Sequence, residues 1–186
     1  MRSGTTTEFG IRDSEFKTAV PRGFSLLELV LVTAIIAVLA GIAVPRFGRA
    51  SGRYRADLAA RRIVADLAYL QSVARRSSCL KRVAFDSGAN QYTLGGIADM
   101  DQPSQFYTVN LSDSRYGADL ASASFQNTNG YISTIALSFD MWGRPQCGDP
   151  PGNPMAPLAS SAIVVQVGAE SRTITVDPVT GRASIQ

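Results

Sequence analysis

Residues 24–44 read FSLLELVLVTAIIAVLAGIAV, an apolar run of 21 residues with a single charge, Glu28. As a helix the run would be about 31 Å long at about 1.5 Å per residue, enough to cross a bilayer's hydrocarbon core. A secretory signal core is shorter and leads into a small-residue cleavage site. The run therefore predicts a membrane-inserted helix. The alternative is a fully buried core helix, which a chain of 186 residues has little room to enclose. Glu28 is the oddity. A carboxylate in hydrocarbon costs roughly 2.5–3.5 kcal/mol on insertion scales, so it needs hydration at the interface or a partner. The nearest upstream cation, Arg22, is six positions away.

Outward from this run, composition removes whole classes of chemistry. The chain is 45% hydrophobic and 18% charged, with a net charge of +3. It has no histidine. That excludes Ser-His-Asp and Cys-His catalysis and any His-ligated metal. Two cysteines, Cys79 and Cys147, cannot make a four-cysteine zinc site within one chain. No catalytic residue, cofactor or metal site is expected, and the chain reads as a non-enzyme. Asp99 and Asp101 have ligand-like spacing, but they flank Met100 in a Gly/Asp loop and read as solvated turn residues. Trp142 beside Gly143 reads as a packing residue at a turn.

Downstream, the helix is expected to continue to about Ser77. Ala56, Ala60, Ile63, Leu67, Leu70 and Ala74 recur at helical spacing and predict one apolar face packed on a sheet. Pro45 is a candidate kink that need not end the helix. From Cys79 the pattern changes to short strands. Arg82–Asp86 with Gln91–Leu94, and Ala121–Gln126 with Tyr131–Phe139, read as hairpins around Ser-Gly-Ala-Asn and Asn-Thr-Asn-Gly. Residues 95–119 read as a loop-rich stretch with one strand at Phe106–Leu111. Residues 147–160 carry four prolines and read as a loop. Ile163–Val167, Arg172–Val176 and Arg182–Ile185 read as the last strands. The expected class is α+β, a long N-terminal helix on an antiparallel sheet. The boundaries are a span over 24–44, an amphipathic stem over 45–78 and a β-rich head over 79–186. Charge is divided the same way: residues 46–82 hold ten basic and two acidic side chains, and residues 83–186 hold four and nine.

The residues ahead of the span are specific. Pro21-Arg22-Gly23-Phe24-Ser25-Leu26-Leu27-Glu28 resembles the type IV prepilin processing motif, and Pro45 sits where that family places its helix-kinking proline. The resemblance implies a pilin-like fold and a leader over 1–23. A prepilin peptidase would cut after Gly23 and N-methylate Phe24. The Phe24 ammonium of one subunit could then neutralise Glu28 of a neighbour, giving Glu28 a role in filament assembly. In the head, residues 135–140, 143–145, 163–165, 172–176 and 180–182 look like the C-terminal pattern of the GspH/FimT pseudopilin domain.

That second resemblance implies a structural minor pseudopilin of a type II secretion pseudopilus or a type IV pilus-like filament. Its partners would be prepilin peptidase, other pilins, an inner-membrane assembly platform and membrane lipid. The chain would cross the bacterial inner membrane once, with its head in the periplasm. In an oxidising compartment a Cys79–Cys147 disulfide is reasonable. Six arginines follow the span within about 20 residues, from Arg46 to Arg62, against four basic residues in the leader, so the positive-inside rule alone favours the reverse orientation. The alternative function is a DNA-binding minor pilin of natural transformation, which resembles this chain at Gly181-Arg182-Ala183-Ser184. The family's second arginine is missing there, and the acidic head opposes phosphate binding.

Overall fold

The computed structural model describes residues 25–99 and 101–186, without the side chains at 42–45 and 47. The chain divides into two compact units, one ending at Ile42 and the other running from Ala43 to Gln186. One helix, α1 (Leu26–Ser77), runs from the first into the second. Its second half is rich in alanine, leucine and arginine, which are strong helix formers. It ends where Ser78 takes φ 48° and the Cys79 N–H donates to the Ala74 carbonyl at 3.3 Å, a Schellman closure. Arg75 and Arg76 in the last turn complement the negative end of the helix dipole.

In the first unit every described side chain from Leu26 to Gly41 is exposed. Among the described residues no helix is long and apolar enough to cross a membrane. The described side chains of the apolar run stop at Gly41, short of Val44, so the span over 24–44 is carried by the sequence and not by the structure.

In the second unit the strands are β1 (Lys81–Asp86), β2 (Gln91–Ala98), β3 (Phe106–Asn110), β4 (Asp119–Asn127), β5 (Ile132–Ser133), β6 (Ala136–Phe139), β7 (Pro145–Asp149), β8 (Asn153–Val167), β9 (Glu170–Val176) and β10 (Ala183–Ile185). Every pairing is antiparallel. One sheet runs β3-β2-β1-β6-β7 and ends on the first part of β8. The other places β4 and β9 on either side of the rest of β8, with β5 beyond β4 and β10 beyond β9. The long strand β8 changes sheets between Pro157, opposite Gln146, and Leu158, opposite Asn127.

Three local expectations need correction. Residues 147–160 are not a loop: they contribute to β7 and β8 around a turn at 150–152. Pro154 and Pro157 are tolerated because that part of β8 pairs on one side only, with β7, so a missing N–H breaks no ladder on the other edge. Tyr131–Phe139 is not one strand. β5 pairs with β4 in one sheet and β6 with β1 and β7 in the other, so the chain crosses between sheets at Thr134–Ile135. Gly95 and Gly96 belong to β2, which is irregular between Leu94 and Ala98 against β3. There a Cβ on Gly95 would stand 3.1 Å from the Arg82 carbonyl oxygen.

The predicted stripe is the helix's contribution to the core. Ala56, Ala60, Ile63, Leu67, Leu70 and Ala74 are all buried, with Ala59 beside them. All but Ala56 join Phe85 and Tyr92 of one sheet and Phe125, Ile163 and Ile174 of the other in a single cluster. A charged network crosses from helix to sheet at its edge. Asp66 is 8% exposed and accepts from Arg62 Nε at 3.0 Å and from the Tyr92 hydroxyl at 2.6 Å. Arg62 also donates to the Tyr107 hydroxyl.

Burial, then the Asp66 carboxylate, push the Tyr92 phenol well above its usual range. Ionising Tyr92 is therefore harder in the folded state than in the unfolded one. Its contribution to stability is complete below about pH 10 and is lost as pH rises beyond that. In urea titrations of detergent-solubilised full-length protein, Asp66→Ala should lower stability by about 2 kcal/mol, because it orphans the buried Tyr92 hydroxyl and removes the partner of the half-buried Arg62. Tyr92→Phe should cost about 1 kcal/mol and flatten the alkaline loss of stability between about pH 9 and about pH 11. Equal alkaline slopes in the wild type and Tyr92→Phe would refute the coupling.

Candidate functional site

Gly23 and Phe24, the expected cleavage and methylation residues, lie outside the described residues. Glu28 is described. It is exposed in the first turn of α1, where the Ser25 carbonyl accepts from the Leu29 N–H at 3.1 Å. The positive end of the helix dipole favours a carboxylate at that position. Among the described residues no ion pair involves Glu28. Its neighbours Leu26 and Leu27 are 81% and 76% exposed. The arrangement is an anion on an apolar helix whose described side chains are exposed from Leu26 to Gly41. Burying Glu28 itself in lipid or among other helices would call for a cationic partner or loss of its charge. The helix continues through Pro45, whose side chain lies outside the description.

At the far end of α1, helix side chains hold two turns of the head. Gln71 Nε2 donates to the Gly143 carbonyl at 2.8 Å and to the Thr180 carbonyl at 2.7 Å, and Arg75 Nε donates to the Trp142 carbonyl at 3.2 Å. Each turn is also braced from within. Asp140 Oδ1 accepts from the N–H groups of Trp142 and Arg144 at 2.9 and 2.7 Å. Asp177 Oδ1 accepts from the N–H groups of Val179 and Thr180 and from the Thr180 hydroxyl. The Thr180 hydrogen bonds lower the Asp177 carboxyl below its ordinary value. The Asp-x-x-Gly-Arg and Asp-x-x-Thr-Gly-Arg stretches are thus turn chemistry that docks on the helix.

Sequence reasoning named the glycines and strands here but missed Gln71. Its signal was a polar residue one position from the apolar stripe, between Leu70 and Ala74. Trp142 needs correction. It is 64% exposed, because its backbone is held by Asp140 and Arg75 while the ring stands outside the core, with Arg144 at 5.7 Å from its centroid.

The two cysteines are both free, so the expected disulfide is not formed. Cys79 is exposed just beyond the helix. Cys147 is 1% exposed on β7, with Sγ 3.4 Å from the Phe125 carbonyl oxygen. Burial pushes the Cys147 thiol up. Asp99 accepts from the Asp101 and Gln102 N–H groups at 2.8 and 3.3 Å, the geometry of a turn. Among the described residues no group of acidic or cysteine side chains is arranged to hold a metal.

Residues 21–44 match the family model of the prokaryotic N-terminal methylation motif. No curated protein and no solved structure matches the chain. The match covers the processing residues and the apolar run and supports a type IV prepilin-like protein. Such a motif implies processing by a prepilin peptidase and assembly with other pilins, and suggests a structural protein, not an enzyme.

Two measurements check this geometry. Gly181 has φ 71°, and a Cβ there would come within 2.9 Å of the Gly143 carbonyl oxygen and 2.5 Å of Gln71 Nε2; Gly130 has φ 84° with nothing within 4 Å. Gly130→Ala should therefore cost about 1 kcal/mol, from backbone strain alone, and Gly181→Ala about 3 kcal/mol, by denaturant titration. Equal costs would contradict the docking of the two turns on the helix. In folded protein, Cys79 should react with a maleimide within minutes while Cys147 reacts only on unfolding. Rapid labelling of both would place Cys147 outside the core.

Proposed function

We propose that this chain is a structural minor pseudopilin of the GspH/FimT type, a subunit of a type II secretion pseudopilus or a type IV pilus-like filament. The observation that carries the reading is the methylation-motif match over 21–44 together with Glu28, an exposed anion on an apolar helix. On this reading residues 1–23 are a cytoplasmic leader, and a prepilin peptidase cuts after Gly23 and methylates the new amino terminus at Phe24. N-methylation leaves that terminus cationic. Residues 24–44 hold the subunit in the inner membrane, with the head in the periplasm. When a second subunit's helix packs alongside, its Phe24 ammonium meets Glu28 where the dielectric is low, and each charge offsets part of the other's desolvation cost. The pairing sets the stagger between adjacent subunits. Pro45 falls between the apolar half of the helix and the half that docks on the head.

The minor-subunit assignment is supported by the head. Its β-rich fold sets the turns at 142–143 and 180 against Gln71 and Arg75, which gives Gly143 and Thr180 of that resemblance a docking reason. A DNA-receptor role is disfavoured, since residues 83–186 hold nine acidic and four basic side chains and Ser184 stands where a second arginine is needed.

The test is made in cells that hold a prepilin peptidase and a filament assembly machine. Mass spectrometry of the mature chain should find N-methylated phenylalanine at position 24 as its first residue, and Gly23→Asp should retain the leader. Glu28→Ala should be cleaved and inserted like the wild type but lost from filaments isolated by crosslinking. Normal incorporation of Glu28→Ala would end the assembly role.

A further inference from the structure

We infer that Arg46, Arg49, Arg53 and Arg55 form a collar that docks on the phosphate headgroups of anionic phospholipid. The inference rests on the membrane-anchored reading above and adds a lipid-recognising surface to it. In sequence the collar begins two residues after the apolar run, and no acidic residue interrupts it before Asp57. All four arginines are exposed. Arg53 is held by Glu170 at 3.0 Å, whereas among the described residues Arg46, Arg49 and Arg55 have no acidic partner.

Their distribution around the helix chooses between partners. At about 100° per residue, Arg49, Arg53 and Arg55 stand about 300°, 340° and 180° around from Arg46. Cations on one stripe would suit the acidic side of one neighbouring protein. Arg46, Arg49 and Arg53 fall within about 60° of one another and Arg55 stands opposite Arg46, so the four span half the circumference, which suits phosphates meeting the exposed faces of the helix on both sides. Arg49 and Arg55 flank an open recess with Gly48, Gly52 and Gly168. A Cβ at Gly48 or Gly168 would meet nothing within 4 Å, so the backbone of the recess is open to an approaching headgroup at both glycines. The one carboxylate on this recess, Glu170, is already engaged by Arg53. Tyr54, 66% exposed within the collar, is the amphipathic aromatic that favours a membrane–water interface. Arginine binds phosphate through paired N–H donors, and basic residues beside a membrane gain from anionic lipid over neutral lipid.

The experiment uses full-length protein in nanodiscs of phosphatidylcholine, and in nanodiscs with roughly a third of that lipid replaced by phosphatidylglycerol. Amide hydrogen exchange is followed over residues 46–56. Exchange should be roughly tenfold slower in the anionic discs, and the difference should shrink as salt is raised. Replacing Arg46, Arg49 and Arg55 together by glutamine should abolish the difference, with unchanged exchange over 163–176 showing that the head is intact. Equal exchange of the wild type in both discs overturns the proposal. So does protection by inorganic phosphate added to neutral discs, which would make the ligand a free anion. Protection in neutral discs that grows with protein-to-disc ratio also overturns it, because a second subunit would then be the partner. Failure to enter either disc overturns the membrane reading itself, a result distinct from entry without lipid preference.

Discussion

The head depends on one helix face filling the space that its two sheets share. Ile63, Leu67 and Leu70 are each at most 2% exposed, and they lie in one cluster with side chains from both sheets. Burying each is worth roughly 1.5–3 kcal/mol, so these three side chains alone supply a large part of the stability of a small domain. Alanines at 56, 59, 60 and 74 bracket them and let the backbone approach closely at both ends. Without the helix, the inner faces of Phe85, Tyr92, Phe125 and Ile174 would open to water. The stem is therefore part of the head's core, and no shear between helix and sheets is free of cost.

An apolar stripe of alanine and leucine fixes which face docks, but it tolerates a slide by one turn. The polar contacts at its edges do not. Asp66 must meet Tyr92 on β2, and Gln71 must reach the Gly143 and Thr180 carbonyls at once. A slide of one turn, about 5.4 Å, would leave a buried carboxylate and a phenol unpaired. Among the described residues no buried side-chain nitrogen or oxygen lacks a hydrogen-bond partner, so the register found here satisfies all of them. The result is a helix locked lengthwise to its head, as a subunit needs if displacement along the helix is to carry the head with it.

Helix extent, its buried face and most strands were legible in the sequence because each follows a local period. The stripe from Ala56 to Ala74 is such a case, and so are the hairpin of β1 and β2 and the β8–β9 pair. What was not legible depends on partners distant in sequence. Four prolines made 147–160 read as loop, yet Pro154 and Pro157 lie on a part of β8 that has a single neighbour, a fact of topology with no local trace. The crossing at Thr134–Ile135 is equally silent, since both flanking segments are good strand sequence. Trp142 was misplaced because an aromatic beside glycine usually packs, and only the bonds that fix its backbone show that its ring stays outside. In the candidate site, the processing motif and Glu28 were readable from residue types at fixed spacing, whereas Gln71 and the Asp66 network needed three-dimensional neighbours.

The spacing of charges along α1 explains how the proposed assembly contact avoids a standing penalty in the membrane. Eighteen residues separate Glu28 from Arg46, a rise of about 27 Å, close to the hydrocarbon thickness of about 30 Å. On the proposed function, a helix of that length would let a subunit at rest keep Glu28 near one interface and Arg46 near the other, with neither charge deep in lipid. If the head lies outside, as proposed, a folded acidic head would keep the collar from crossing, and the cations that favour the reverse orientation would then oppose inward movement. Outward movement is different. A shift by one helical turn drags Glu28 about 5.4 Å into hydrocarbon, where a lone carboxylate costs kilocalories. An ammonium arriving with it would offset much of that cost. On the proposed function, leaving the membrane would be favoured by pairing with another subunit, and Glu28 would oppose premature extraction as well as hold the contact.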